Sequence, residues 1–386
     1  MEMPSEHVSW RIRGVPRFFD KRSLADALRH HLVLQSPNST NAGDGSDSVD
    51  DVFLDTLAPD LQCLEQVATV RFPTLPPQLQ ALEDRAELTI EIPPNTEDSP
   101  VGGHRRSPNH TSRLTIDMHF HGTTVLYSPT DHDVDVLAVC GLGGHAMGSF
   151  IHKRDRHMWL RDSLPQRIPK ARVMIYGYDS GLQHSTNLAQ LGDLAKSLRT
   201  AITRILRSGK RRLVLIGHSL GGLLIKEALT QLAESDSRSL VNFVSGVLFF
   251  GVPNHGMDIE SLIPMVNDQA NRPLLDSLHR VNSWVLMLQD RDFSRILDQR
   301  KDLKVFCFYE TEKSPTAAKV SWTHCWRSLL LVTHSGSPNG KVQNDRPSSV
   351  PRGHVLRYKL LAPRGQARIF PADPANTFRS CQVHVP

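Results

Sequence analysis

The stretch RRLVLIGHSLGGLLIKEAL, residues 211–229, constrains the fold more than any other part of this 386-residue chain. A branched apolar run without polar alternation reads as a strand buried on both faces, as in a parallel sheet covered by helices. It leads straight into Gly217-His218-Ser219-Leu220-Gly221 and then into an amphipathic helical segment. That is G-x-S-x-G between a strand and a helix. The join must be sharp, and side chains at 217 and 221 would collide with the neighbouring strand and helix. Such a turn lifts Ser219 to the edge of the sheet, at the positive end of the helix that follows. Ser219 is therefore the candidate nucleophile, and the Leu220 N–H a natural oxyanion donor. The competing reading is a glycine-rich turn that only packs strand to helix.

The surrounding sequence supplies the rest of a doubly wound, mostly parallel α/β sheet over residues 113–362. RLTIDMHF and TTVLY read as two leading strands, and DVLAVC, RVMIYGY, RRLVLIG, SGVLFFG, LKVFCFY and SLLLVT as those that follow. Between the second and third of that series, Leu188, Leu191, Ala195, Leu198, Ile202 and Leu206 recur at helical spacing and predict a crossover helix.

Residues 1–94 carry a different rhythm, β-α-β-β-α-β, which predicts a small ferredoxin-like unit. Its strands are HVSWRIRGVP, DVFLDTL, QVATVRF and AELTIEI, and its helices SLADALRHHL and LPPQLQALED. The outline matches an RNA-recognition module, with Trp10 and Phe72 on strands, but the third strand lacks the Gly-aromatic pattern that stacks bases. A structural or protein-contact role is favoured. Residues 95–112, rich in Pro, Ser, Asn and Gly, read as a linker, and 363–386 as an irregular tail.

The net charge of +5 is spread over pieces such as HKRDRH and RSGKRR, which read as solvated loops and helix ends rather than a nucleic-acid surface. Five cysteines (Cys63, Cys140, Cys307, Cys325, Cys381) without CxxC spacing argue against a disulfide framework or a zinc site. A reducing, cytoplasmic compartment fits. The N-terminus has no secretory or transit pattern and no run is long enough to span a bilayer, so membrane contact is expected to be peripheral at most.

A second oxyanion donor should come from the loop VCGLGGHAMGSF, residues 139–150, where the Leu142 N–H is the candidate. No GxxxxGK[ST] or GxGxxG spacing supports a phosphate loop there. His145 reads as a pocket-wall or surface residue. In this architecture the acid and the histidine follow the nucleophile along the chain. Glu310, after LKVFCFY, is the candidate acid and Asp258 the alternative; His354 is the candidate base and His334 the alternative. Such chemistry needs no metal or organic cofactor. Phe249, Phe250 and a lid segment MDIESLIPMV would suit an acyl substrate, with plain core packing as the competing reading.

DMHFHGTTVLYSP, VCGLGGH, WLRDSLP, ARVMIYGYDS, LIGHSLGGLLIKEAL, LFFGVPNHG and FCFYETEKSPT, taken together, resemble the fungal DUF676 group of lipase-like α/β-hydrolases. That group is related to the serine-active-site-containing phospholipid-remodelling protein and often precedes NACHT-type modules in NOD-like receptors. The resemblance implies Ser219 as nucleophile, Glu310 as acid, an ester or lipid substrate, and cytoplasmic placement or peripheral contact with mitochondrial or endoplasmic-reticulum membranes. It also suggests protein partners for the small unit. The family's usual His-Gly is Cys140-Gly141 here, and Val355 follows His354 where the family has Ser. After about residue 319 the resemblance becomes patchy. The chain is then either a stand-alone relative or one with an altered C-terminal part lacking the base. The expected function is ester hydrolysis through an acyl-enzyme; the alternative is a catalytically impaired signalling or interaction module.

Overall fold

A computed structural model describes residues 8–33, 52–82, 86–92, 111–152, 155–182, 187–260, 262–266, 269–280, 284–310 and 358–360. These residues build two sheets. The first begins with β1 (Ser9–Val15), whose alternation sends Trp10 and Ile12 into an apolar core and Arg11 to the other face. Helix α1 (Lys21–Leu28) follows, started by a reciprocal cap: the Ser23 N–H donates to Asp20 Oδ1 and the Asp20 N–H to Ser23 Oγ. The Ser23 N–H, and after it the Ser23 hydroxyl, which donates to the same oxygen at 2.7 Å, hold the Asp20 carboxyl below its ordinary pKa. Strands β2 (Phe53–Pro59) and β3 (Gln66–Arg71), short helix α2 (Pro77–Gln80) and strand β4 (Leu88–Ile92) complete the expected order along the chain.

The sheet itself departs from the ferredoxin-like arrangement. Its order is β2-β3-β1-β5-β4, and β5 (Ser112–Asp117) lies between β1 and β4. The strand expected to lead the α/β unit thus belongs to the small sheet. Leu114 and Ile116 explain this, because their face completes the core built by Trp10, Leu24, Leu28 and Phe72.

The second sheet has the order β12-β11-β10-β9-β7-β8-β6. Its strands are β6 (Gly122–Tyr127), β7 (Val134–Val139), β8 (Ala171–Gly177), β9 (Arg212–His218), β10 (Val244–Phe250), β11 (Lys304–Glu310) and β12 (Tyr358–Leu360). The five central strands run parallel and the edges, β6 and β12, antiparallel. Residues 358–360 were expected in a loop or helix start; they form an edge strand instead because their backbone pairs with Phe308 to Glu310. The strand expected at SLLLVT lies outside the described residues.

Helices α3 (Trp159–Asp162) and α4 (Leu164–Arg167) are single turns, and α5 (Leu191–Arg207) is the crossover between β8 and β9. Leu188 does not join it, being 77% exposed, since the Gln190–Asp193 cap starts the helix later and the Asn187 side chain turns the chain before it. Helix α6 (Leu220–Ala233) is buried almost all round rather than amphipathic, because it sits between α5 and α9 (Trp284–Gln299). Its Lys226 runs to Asp290 of α9 at 2.6 Å beside the rings of Phe249 and Phe293. Two further short helices, α7 (Ile263–Val266) and α8 (Arg272–Ser277), lie between β10 and α9 in sequence.

Candidate active site

From β7 the chain passes to β8 on one side and then returns to β9 on the other. A doubly wound sheet opens a crevice at such a switch, outside the carboxyl ends of the two strands. The glycine loop after β7 and the Gly-His-Ser-Leu-Gly turn after β9 both lie there.

Ser219 has φ 51° and ψ −124°, a conformation that L residues rarely adopt. Two backbone bonds hold it: its N–H donates to Phe250 O at 2.9 Å, and the Gly222 N–H donates to its C=O at 3.0 Å. The glycines are needed for contact. A Cβ on Gly221 would stand 2.5 Å from both Val139 O and Cys140 O, and one on Gly217 would stand 2.6 Å from Gly222 Cα. A Cβ on Gly141 would stand 2.9 Å from Ser219 Cβ, which places the start of the glycine loop directly against the serine.

The loop is tied at several points. The Gly143 N–H donates to Ser180 O at 2.7 Å and the Gly144 N–H to Gly141 O at 3.1 Å. Ser180 Oγ donates to Gly144 O, and the Tyr178 hydroxyl to Cys140 O. Among the described residues no backbone acceptor takes the Leu142 N–H. His145, expected on a pocket wall or the surface, is instead part of the loop's framework. Its Nε2 lies 2.6 Å from Met118 O, and its Nδ1 accepts from the Met147 and Gly148 N–H groups. Burial lowers its pKa, and with it the charged form. Tyr178 and Ser180 had no assigned role in the sequence; their only signal was a polar end, YDS, on an otherwise apolar strand.

Cys140 is a buried thiol pushed up to about 12 by desolvation, so it is an inert strand-end residue rather than a competing nucleophile. Cys63 is exposed and Cys307 buried. Phe249 is a core residue against Phe293, not a wall. Phe250 is half-buried and stacks on Phe308 at 4.3 Å. Of the expected lid, Met257, Ile259, Leu262, Ile263 and Val266 pack with Leu182 and Leu275 into a small apolar cluster that includes Leu142. Asn271, at the start of α8, ties this cap to the loop after β8 by donating to Gly181 O and Leu182 O.

The remaining candidates are not brought together with the serine by any described contact. The backbone of Glu310 closes β11, two strands from β9. Asp258 is exposed and accepts from the Glu260 N–H. His334 and His354 lie outside the described residues. Away from the crevice, Glu87, Asp117 and His119 converge within 4.8 Å, but the guanidinium groups of Arg11 and Arg13 already occupy Asp117 Oδ2. That cluster is an ion-paired knot rather than a metal site.

Residues 168–271 match the family described as "Alpha/beta hydrolase of unknown function (DUF900)". The protein SERAC1 of Danio rerio is 31% identical over 105 residues, which are 25% of this chain and 16% of that protein. SERAC1 of Homo sapiens is 29% identical over 144 residues, 32% of this chain and 22% of that protein. The chain thus matches less than a quarter of the length of these relatives. A Bacillus licheniformis lipase, BlEst2 in its mature form, is 18% identical with a TM-score of 0.30, covering 49% of this chain and 69% of that one. The sheet order, the turn at Ser219 and the match over residues 168–271 give the larger unit an α/β-hydrolase fold.

Proposed function

We propose that the protein is a serine hydrolase that cleaves a carboxylic ester through an acyl-enzyme on Ser219. The observation that carries this reading is the φ 51°, ψ −124° backbone of Ser219. A non-glycine residue is held there only when its surroundings over-determine it, and such strain gathers at functional turns. The serine oxygen attacks the ester carbonyl, a histidine takes the proton and returns it to the leaving alcohol, and water then cleaves the acyl-enzyme. Leu220 and Leu142 supply the N–H groups for the oxyanion, Glu310 orients the histidine, and the histidine is His354. Asp258 and His334 are the alternatives for the last two roles. No step requires a metal or an organic cofactor. The apolar cap around Leu142 suits an acyl chain, so an ester or lipid is the substrate class, taken from solution or from a membrane surface. No described helix is long and apolar enough to cross a membrane.

A fluorophosphonate probe tests the reading. Wild type should be labelled and Ser219→Ala unlabelled. Labelling absent from folded wild type would instead favour a scaffold that serves protein contacts, as in the interaction modules of the DUF676-like group. Comparing His354→Ala with His334→Ala identifies the base, since its loss should lower kcat by several orders of magnitude, about 10⁴-fold or more.

A further inference from the structure

A loop carrying glycines at 141, 143, 144 and 148 does not hold its own shape, because glycine loses the most freedom on ordering. Ser180 and Tyr178 tie its first half, and one side chain within it, His145, meets three further polar groups. His145 Nε2 meets Met118 O at 2.6 Å, and Nδ1 meets the Met147 and Gly148 N–H groups at 3.2 and 3.1 Å. A carbonyl oxygen only accepts and a backbone N–H only donates, so the ring must be neutral with its proton on Nε2. The ring also stands edge-on to Phe120 at 5.1 Å. Met118 follows Asp117, whose carboxylate pairs with Arg11 and accepts the Phe120 N–H. The anchor point is therefore already rigid.

We propose that His145 is the positioning residue of the glycine loop, and that its three hydrogen bonds hold the Leu142 N–H against the carbonyl oxygen attacked by Ser219. This rests on the Ser219 reading above. His145 acts through the loop and does not touch the reacting atoms. An imidazolium has no acceptor at Nδ1, so protonation would release both loop N–H groups. Of the charged groups facing the ring, Asp117 favours the proton, while Arg11 and His119 oppose it, as burial does more strongly.

The test compares full-length wild type, His145→Phe and His145→Asn on a short-chain p-nitrophenyl ester, with amide hydrogen exchange of residues 142–148 read in parallel. Phenylalanine keeps the packing on Phe120 but loses all three bonds. It should lower kcat about 100-fold with KM nearly unchanged, as removal of an oxyanion donor does, and should speed exchange at Met147 and Gly148. Asparagine offers an oxygen near the Nδ1 position and should regain much of both. A folded His145→Phe protein with wild-type kcat and wild-type exchange overturns the proposal. If His145→Phe does not fold, His145→Gln replaces it, since glutamine keeps a donor for Met118 O but places no acceptor at the Nδ1 position. A kcat for Asn no higher than for Gln then overturns it. If wild type itself shows neither turnover nor labelling, it is the Ser219 reading that fails, and exchange unchanged by His145→Phe still refutes the clamp.

Discussion

Ser219 is held in a conformation that costs the fold about 1–3 kcal/mol. Ser219→Gly should therefore abolish labelling yet raise stability by about 0.5–2 kcal/mol, after allowing for the greater freedom of glycine in the unfolded chain. Urea unfolding checks this, and a Ser219→Gly protein less stable than Ser219→Ala would contradict the strain. At Gly221 the sign reverses. An added methyl would meet two backbone carbonyl oxygens that cannot move aside, so Gly221→Ala should cost at least about 1–3 kcal/mol in the same measurement. His145 adds a pH dependence. Its folded pKa lies below the ordinary 6.5, so the unfolded chain binds more protons on the acid side of that value. Its contribution is complete above about pH 6.5 and declines as the pH falls below it. Urea midpoints between pH 7.5 and 5 should show a loss that is shallower in His145→Asn. The sharp turn at Ser219 was legible in the sequence because its strand, glycines and helix are contiguous. His145 was not, because its meaning depends on Met118 O, which is 27 residues away along the chain.

Elements show where periodicity informs and where it stops. Apolar runs marked the buried strands β7 to β11, and helical spacing marked α5, because burial on both faces or on one stripe leaves a direct trace. They did not assign partners. The leucine and isoleucine of β5 would fit either sheet, and only the three-dimensional core of Trp10 and Phe72 decides between them. Likewise, nothing near Lys226 in sequence announces Asp290. In the fold they pair at 2.6 Å between α6 and α9, with Lys226 nearly inaccessible to solvent. Asp290→Asn leaves that ammonium buried without its counter-charge and should destabilise by about 3–5 kcal/mol, whereas Lys226→Met/Asp290→Leu should recover most of the loss. Equilibrium unfolding of the three proteins separates these outcomes. An Asn variant as stable as wild type would mean that the pair contributes little. Because Ser219 is the N-cap of α6, the single variant should also slow phosphonate labelling.

At the scale of the whole molecule, the two sheets are joined through a buried charge as well as through apolar contact. Ala58 and Val67 of the small sheet enter the larger core, and Arg161 of α3 reaches Asp55 of β2. The centre of the junction is Arg11, whose side chain is 2% exposed. It bonds Asp117 on its own sheet, and His121 O and Thr124 Oγ1 at the start of the other. Neither residue type nor spacing foretells this, since an alternating Arg on an amphipathic strand ordinarily faces water. Asp117→Asn should strand the guanidinium with neutral partners and cost about 3–5 kcal/mol, while Arg11→Met/Asp117→Leu, which removes both charges, should come within about 1–2 kcal/mol of wild type. Activity should behave differently. In the double variant the oxygen that accepts the Phe120 N–H is gone, whereas Asn keeps an amide oxygen for it, so the turn that presents Met118 O to His145 is loosened in the double variant even though its stability is recovered. The double variant should therefore unfold near the wild-type urea midpoint and still turn over ester more slowly. Its kcat returning with its stability would mean that the small sheet supports the larger unit only as bulk packing, with no part in setting the glycine loop.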